Sequence, residues 1–315
     1  HRVSVAAAIG VARAPEHARD IGTLVHYAVT AATAHSSPQP GQVAIYDDEM
    51  TSRLESRLLL ETRLRQAIAQ DELELYLQPK FTRERQIVGA EALLRWNSRE
   101  LGWIPPSTFV PLAEESDLIQ DLDAWVIHKT CALLKAWDSP KLLTLRIAIN
   151  LSAANLNQAH TVRALVQATA SAGIDPARIE VELTESALLS DVEQTRDTLR
   201  ELKEAGFSIA LDDFGTGYSS LTHLKSFAID TVKIDREFVQ GVDQAGQAQS
   251  ICSAIVALAR SLGLTTVAEG VETEAQFQTL VGLGCDDIQG YLLAKPMPTG
   301  EFRQLVENTA VHEAG

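Results

Sequence analysis

Between residues 73 and 292, short apolar runs alternate with longer segments in which apolar residues recur at helical spacing. The apolar runs occupy residues 73–78, 87–94, 143–150, 179–183, 208–211, 231–234, 265–268 and 288–292. The helical segments between them include residues 121–137, 161–172, 191–205, 247–262 and 274–283. Strands that alternate with helices in this way predict βα units that share a parallel sheet.

About eight such units over roughly 240 residues are typical of a TIM-type (β/α)8 barrel. A doubly wound open sheet is the alternative. It has less support, because the sequence contains neither GxGxxG nor GxxxxGK followed by Ser or Thr, the phosphate-binding patterns of nucleotide-binding open sheets. We therefore predict an α/β fold built on a (β/α)8 barrel.

The first 50 residues have a different pattern. Residues 3–11 and 42–46 predict strands, residues 22–34 predict a helix, and the Pro-, Ser- and Gly-rich residues 35–41 predict a loop. A segment of this size with one helix makes a marginal core by itself. We expect a small α+β segment that forms the end of a neighbouring domain.

Residues 50–70 predict a helix that packs on the domain after it, since its apolar residues lie roughly on one face among many charges. The chain then divides into an N-terminal segment with linker, a main domain and a short tail. These three parts are residues 1–50, 51–308 and 309–315.

Charge and cysteine content narrow the possible partners and the compartment. With 42 acidic against 27 basic residues the formal net charge is −15, which disfavours binding of DNA or RNA polymers but not of a small phosphorylated ligand. Three cysteines without a CxxC pair indicate a reducing compartment and no structural zinc site. Because there is no signal peptide, we expect a cytoplasmic chain, either free or attached to upstream sensory or membrane segments.

Polar residues stand at the carboxyl end of seven of the apolar runs. They are Glu91, Asn150, Glu182, Asp212, Asp213, Lys233, Glu269 and Gln289. In a β/α barrel these strand ends meet at one mouth, where active sites lie. Five carboxylates in one small volume repel each other unless cations are present, and hard divalent ions such as Mg²⁺ or Mn²⁺ favour oxygen ligands. No histidine stands at these ends, which argues against a histidine-rich zinc site.

Two such ions could clamp a phosphate and an attacking water, while Lys233 orients or helps to deprotonate the water or offsets charge on the phosphate. Each residue alone also has an ordinary structural interpretation. An acid at a strand end can cap a helix, Lys233 can lie on the rim, and residues 212–220 can be a plain strand-to-helix connection instead of a gating loop. The joint pattern favours the metal site.

The same residues carry a family resemblance. Glu91, Ala92 and Leu93 resemble the signature of the EAL domain, a family of cyclic di-GMP phosphodiesterases. Further segments match in the family order. They are residues 78–79, 150–152, 182–186, 212–221, 233–236, 268–272 and 289–291. The match runs from about residue 54 to 305.

The resemblance implies a modified TIM barrel whose first strand runs against the others. It implies hydrolysis of cyclic di-GMP to linear pGpG with two Mg²⁺ or Mn²⁺ ions, and inhibition by Ca²⁺. The implied metal ligands are Glu91, Asn150, Glu182, Asp212, Asp213, Glu269 and Gln289. The implied catalytic residues are Lys233, Glu269 and Glu91. Gln78, Leu94 and Arg95 would contact the dinucleotide, and Glu185 would brace the loop after Asp213.

The chain departs from the family pattern at Lys80, where an apolar residue is usual, and at Ala154 and Asn155, where Arg and Gln are common. The first 50 residues resemble the end of a GGDEF cyclase domain, but the Gly-Gly-Asp-Glu-Phe signature is absent. We expect no cyclase activity from them.

The resemblance also implies a homodimer. Two other functions stay open at this point. One is a catalytically silent receptor or scaffold that binds cyclic di-GMP, and the other is a different metal-dependent hydrolase on the same barrel.

Overall fold

The computed structural model describes residues 8–33, 43–156, 159–189, 191–215, 226–244 and 246–309. The strands are β1 (Ile9–Val11), β2 (Val43–Ile45), β3 (Leu73–Thr82), β4 (Ile87–Ser98), β5 (Gly102–Ile104), β6 (Arg146–Asn150), β7 (Ile179–Thr184), β8 (Ser208–Phe214), β9 (Thr231–Ile234), β10 (Thr265–Ala268), β11 (Asp287–Ile288) and β12 (Met297–Pro298). The helices are Ile21–Thr33, Asp48–Ala69, Pro106–Glu114, Leu118–Lys135, Pro140–Leu143, Ala153–Leu156, Ala159–Ala172, Glu185–Leu189, Val192–Glu204, Arg236–Val239, Gln247–Leu262, Glu274–Leu283 and Thr299–Asn308.

Within these residues, eight strands close into a barrel in the order β3, β4, β6, β7, β8, β9, β10 and β11. Strand β3 is antiparallel to both of its barrel neighbours, β4 and β11, and the other neighbours are parallel. Only a short turn joins β3 to β4, and a parallel pair would need a crossover of a dozen or more residues. The predicted barrel with a reversed first strand is confirmed.

Several boundaries differ from the predicted ones. The run at residues 143–150 is not all strand, because Leu143 ends the short helix Pro140–Leu143 and β6 begins at Arg146. The run at residues 288–292 leaves the sheet after Ile288. Strands β5 and β12 were not predicted. The predicted loop at residues 35–41 lies outside the described residues.

The helix ends that the sequence marks well are also the ones predicted correctly. The helix Glu274–Leu283 begins with a capping box between Thr273 and Gln276. It ends at Gly284, whose left-handed φ of 88° suits glycine. The helix Gln247–Leu262 ends in the same manner, at Gly263.

Side chains of the barrel strands alternate between an apolar exterior and a polar interior. Ile147 and Ile149 of β6 and Val181 of β7 are buried in the main apolar core, which lies between the barrel and its helices. The inward positions form two layers. The mouth layer, at the carboxyl ends of the parallel strands, contains Gln78, Glu91, Asn150, Glu182, Asp212, Lys233, Glu269 and Gln289. The floor layer below it contains Lys80, Gly89, Ala148, Glu180, Thr231, Val267 and Asp287.

A second core lies beside the barrel. The helix Asp48–Ala69 contributes Leu64 and Ala67, which pack with Trp96 of β4, with Phe109 and with Leu122. The side chain of Asp47 accepts a hydrogen bond from the backbone of Met50 at the start of this helix. The helix thus packs on the main domain as the sequence predicts.

The N-terminal segment forms a small cluster of its own. Strands β1 and β2 pair in parallel, and the helix Ile21–Thr33 connects them. Tyr27 stacks on Tyr46 with 3.9 Å between ring centroids, next to Met50. The division of the chain into three parts stays a prediction.

None of the helices in the described ranges combines the length and the apolar character that a bilayer-spanning segment requires.

Candidate active site

The mouth of the barrel is organised around one buried ammonium group. The Nζ atom of Lys233 lies 2.7 Å from Glu182 Oε2, 2.9 Å from Asp212 Oδ2 and 2.6 Å from Glu269 Oε1. Glu91 Oε2 is 3.8 Å away. These five residues come from β4, β7, β8 and β9 and from the residue after β10, so the predicted convergence of strand ends brings four carboxylates onto one lysine.

Amide side chains hold the carboxylate of Glu91 from two sides. Asn150 Nδ2 donates to Glu91 Oε1 at 2.8 Å, and Gln289 Nε2 donates to Glu91 Oε2 at 2.7 Å. Gln289 Nε2 also lies 3.1 Å from Gln78 Oε1, to which it donates. Seven of the eight polar residues predicted at strand ends therefore form one contact network in the mouth, and the eighth, Asp213, follows Asp212 directly.

The electrostatics of this network favour a protonated lysine. Burial opposes the charge on Lys233, but the carboxylates of Glu182, Glu269, Glu91 and Asp212 raise its pKa well above the usual value. Burial also opposes the charge on Glu182, yet the Lys233 and Lys80 ammonium groups lower the pKa of Glu182 to about 2. Lys233 thus provides a positive charge and hydrogen-bond donors, and it is a poor general base.

Two other carboxyl groups shift in the opposite direction. Burial, with the nearby carboxylates, raises the pKa of Glu269 to about 8. Burial also raises the pKa of Glu91. Among the described residues, the mouth therefore holds more carboxylates than Lys233 can neutralise, which is the condition under which a divalent cation binds well.

The end of β8 and the loop after it have an unusual backbone. Asp213 has a φ of 54° and Gly215 a φ of 99°, and the pairing of β8 with β9 is interrupted between Leu211 and Phe214. Glu185 Oε2 accepts a hydrogen bond from the backbone N–H of Gly215 at 3.1 Å. This contact supports the predicted bracing role of Glu185. Residues 216–220 of the predicted gating loop lie outside the described residues.

The donor chemistry of the mouth fits hard divalent cations. It consists of carboxylate and amide oxygens, and the Oε1 atom of Gln289 is buried without a hydrogen-bond partner among the described residues. Among the described residues, no three carboxylates are arranged to share a metal ion. The carboxylates surround the Lys233 ammonium instead. A metal cation would therefore compete with Lys233 for the same carboxylate oxygens.

A pocket of about 190 Å³ opens beside this network. Its lining includes Gln78, Glu91, Leu93, Glu269, Gln289 and Tyr291. Leu93, two residues after Glu91, shares its face of β4. Leu94 lies on the opposite face and packs against both apolar cores. The pocket is thus lined by Leu93, whereas the side chain of Leu94, which the sequence analysis had placed at the substrate, packs in the apolar cores.

Above the pocket, Arg95 continues the same face of β4. Its guanidinium carbon lies 5.3 Å from the ring centre of Tyr76 and 6.0 Å from that of Trp103. Trp103 is 56% exposed on β5. Arg95 is thus held between two aromatic rings at the rim, with a fork of donors suited to a phosphate.

Sequence reasoning gave a site role to none of four residues of this region, Lys80, Tyr76, Leu93 and Trp103, although it noted Lys80 as a departure from the family pattern. Three of them carried a usable signal. Alternation along a strand places Tyr76 and Lys80 on the face of Gln78, and Leu93 on the face of Glu91. Trp103 carried none, because β5 was not predicted.

Comparisons with known proteins show the family of the chain. A family model described as EAL domain matches residues 61–296. The chain is 38% identical over 302 residues to the cyclic di-GMP phosphodiesterase PdeR of Escherichia coli strain K12, which covers 96% of this chain and 46% of that protein. It is 39% identical over 297 residues to an uncharacterized signaling protein of Caulobacter vibrioides. That match covers 94% of this chain and 36% of the relative. The chain thus spans less than half the length of these two relatives.

Solved structures give the same picture. The PaMucR phosphodiesterase in complex with c-di-GMP has a TM-score of 0.74 and 40% sequence identity, over 78% of this chain and 99% of that one. The FimX EAL domain from Pseudomonas aeruginosa bound to c-di-GMP has a TM-score of 0.70 and 25% sequence identity. The match covers 76% of this chain and 96% of that one.

Proposed function

Because the chain belongs to the EAL domain family, we propose that it hydrolyses cyclic di-GMP to linear pGpG. The observation that carries this proposal is the complete carboxylate and amide set around Lys233 in the mouth of the barrel. The relatives and structures whose names include cyclic di-GMP support the choice of substrate.

The proposal assigns the mouth residues to a divalent metal centre. The proposed ligands are Glu91, Asn150, Glu182, Asp212, Asp213, Glu269 and Gln289. Mg²⁺ or Mn²⁺, two per site, would polarise the phosphate and activate a water when bound. We expect Ca²⁺ to inhibit, as the family resemblance implies.

The chain's own residues would position the reacting groups. Arg95 lies at the rim, where its fork of donors can hold a phosphate oxygen, and Gln78 and Leu93 line the pocket. The protonated Lys233 would donate a hydrogen bond to the attacking water and offset the charge that develops on the phosphate. Attack forms one P–O bond and breaks the bond to the 3′ oxygen, which leaves with a proton.

The direct test is purified protein with cyclic di-GMP in Mg²⁺, in Mn²⁺ and in Ca²⁺, with pGpG followed by chromatography. We expect pGpG in the first two and none in Ca²⁺. Binding of cyclic di-GMP without pGpG in either Mg²⁺ or Mn²⁺ would reject the enzyme and favour the receptor. GTP serves as the control substrate, and formation of cyclic di-GMP from GTP would contradict the absence of cyclase activity.

Two further parts of the proposal concern the whole molecule. We expect a homodimer, which sedimentation at micromolar protein tests, and a monomer alone at that concentration would contradict it. We also expect a cytoplasmic location, with residues 51–308 as the catalytic domain. Expression of residues 51–308 alone, which should retain the activity, tests that boundary.

A further inference from the structure

The strongest unexplained feature of the barrel is a second buried lysine beneath the mouth. Lys80 is only 5% exposed, and its side chain lies inside the barrel among the residues of the floor layer. Its Nζ atom lies 2.7 Å from Glu180 Oε1 and 2.7 Å from Glu182 Oε1. Burial of a charged group is costly unless partners of opposite charge surround it, so these contacts fix the side chain in one place.

Glu182 is shared between the two lysines. Its Oε1 atom accepts from Lys80, and its Oε2 atom accepts from Lys233 at 2.7 Å. The carboxylate is fully buried. Lys80 therefore determines which way this carboxylate faces, because it occupies one oxygen from below and leaves the other oxygen directed to the mouth.

The surroundings of Lys80 are shaped to admit its side chain. Its pairing partner on β4 is Gly89, which has no side chain to fill the inward position. A floor cavity of about 350 Å³ includes Lys80, Gly89 and Glu180 in its lining. The second oxygen of Glu180 accepts a hydrogen bond from Thr231 Oγ1 at 3.0 Å, so Glu180 is fixed independently of the mouth.

We propose that Lys80 is a positioning residue for the reaction, which acts through Glu182 by holding its Oε1 atom and presenting its Oε2 atom to the metal centre. The inference rests on the proposed function. Lys80 lies below the mouth layer and contacts neither the pocket beside Glu91 nor the rim at Arg95, so its effect should be on metal binding and on kcat and not on substrate affinity.

Lys80→Met removes the ammonium and keeps the length of the side chain. Glu182 is then left with Lys233 as its one cationic partner, and a metal ion has to displace that ion pair. Loss of an outer partner of a metal ligand typically costs about 10–100-fold in metal affinity or activity. We expect Mn²⁺ binding, measured by electron paramagnetic resonance without substrate, to weaken by about tenfold or more, and kcat to fall by about 10–100-fold. The KM for cyclic di-GMP should stay within about twofold.

Four further variants, one of them a double variant, separate positioning from simple destabilisation. Lys80→Arg restores a cation and should recover most of the Mn²⁺ affinity. Glu180→Gln keeps the contact between Lys80 and Glu182 and should bind Mn²⁺ as the wild type does. Lys203→Met is the matched control, since Lys203 pairs with Asp230 outside the barrel interior. Lys80→Met alone leaves the buried Glu180 carboxylate without its lysine partner. The double variant Lys80→Met with Glu180→Met removes that carboxylate as well, and its Mn²⁺ binding should still be weak.

Mn²⁺ affinity and kcat equal to or above wild type in Lys80→Met would overturn the positioning role. If the single variant fails to fold, the double variant decides in the same way. Failure of the proposed function has a different signature, because it would show in the wild type as the absence of pGpG. A wild type that binds no Mn²⁺ would overturn both.

Discussion

The mouth and the floor of the barrel each contain a buried lysine, but the carboxylates around the two lysines differ in number. At the mouth, four carboxylates surround Lys233. At the floor, Lys80 has two carboxylate partners, and one of them is the Glu182 that it shares with Lys233. The mouth therefore has an excess of negative charge, whereas the floor is closer to balance.

This difference separates a site that can take up cations from one that supports it. Unbalanced buried carboxylates are unfavourable in the ligand-free protein and become favourable when a divalent ion binds. A balanced pair gains little from an added cation. The same residue types at two depths of one barrel are thus expected to respond differently to matched substitutions.

The largest expected effect comes from a matched pair at the two depths. Glu91→Gln removes one negative charge and one of the two acceptor oxygens of this side chain from the mouth. We expect kcat to fall by about 10³-fold, since single charge contacts to a reacting centre are worth about 10²–10³. Glu180→Gln makes the same change in the floor, and kcat should stay within about threefold. Similar losses in both variants would contradict the division between mouth and floor. Thermal unfolding checks that each variant is folded.

A smaller effect is expected at the loop after β8. Glu185→Ala removes the acceptor of the Gly215 backbone N–H, and kcat should fall by about tenfold, because a hydrogen bond to a charged group contributes about 1.5 kcal/mol or more. Glu193→Ala, on an exposed helix surface, is the control. Full activity in Glu185→Ala would show that the loop does not depend on this contact.

The rim of the mouth should affect substrate binding more than turnover. Trp103→Ala removes one of the two rings beside Arg95, and the KM for cyclic di-GMP should rise by about three- to tenfold with kcat nearly unchanged, which corresponds to a cation–π contribution of about 0.5–1.5 kcal/mol. Leu101→Ala, an exposed apolar residue just before β5, provides the comparison. A fall in kcat with unchanged KM would place Trp103 outside substrate binding.

The smallest expected effect is on the thermal stability of the protein and comes from a carboxyl group in the floor. Burial, with the neighbouring Asp286, raises the pKa of Asp287 from 3.8 to about 6. The folded protein therefore binds this proton more tightly than the unfolded chain does, and stability declines as the pH rises from about 4 to about 6. Asp287→Asn has no such charge. In metal-free buffer its Tm should exceed that of the wild type by roughly 2–4 °C above pH 6, and the gap should close below pH 4. A gap independent of pH would contradict the titration of Asp287.

Much of the fold followed from local sequence patterns. The apolar runs at residues 179–183, 208–211, 231–234 and 265–268 begin at the same residues as strands β7, β8, β9 and β10, because buried parallel strands leave continuous apolar runs. The reversed first strand came from the family resemblance, and the short turn between β3 and β4 gives its physical reason. Where tertiary contacts set the boundary, prediction was poorer, as at Leu143 and after Ile288.

The candidate site divides in the same way. The sequence by itself determined which residues stand at the strand ends, because a strand end is marked by the change from apolar to polar residues. Alternation along β4 places Leu93 on the face of Glu91, but the sequence by itself could not show that this face lines a pocket. Nor could it show that Lys80 reaches Glu182, a residue 102 positions away. Contacts of that kind depend on how the barrel closes, since closure brings β3 and β7 across one interior, and only the tertiary structure decided them.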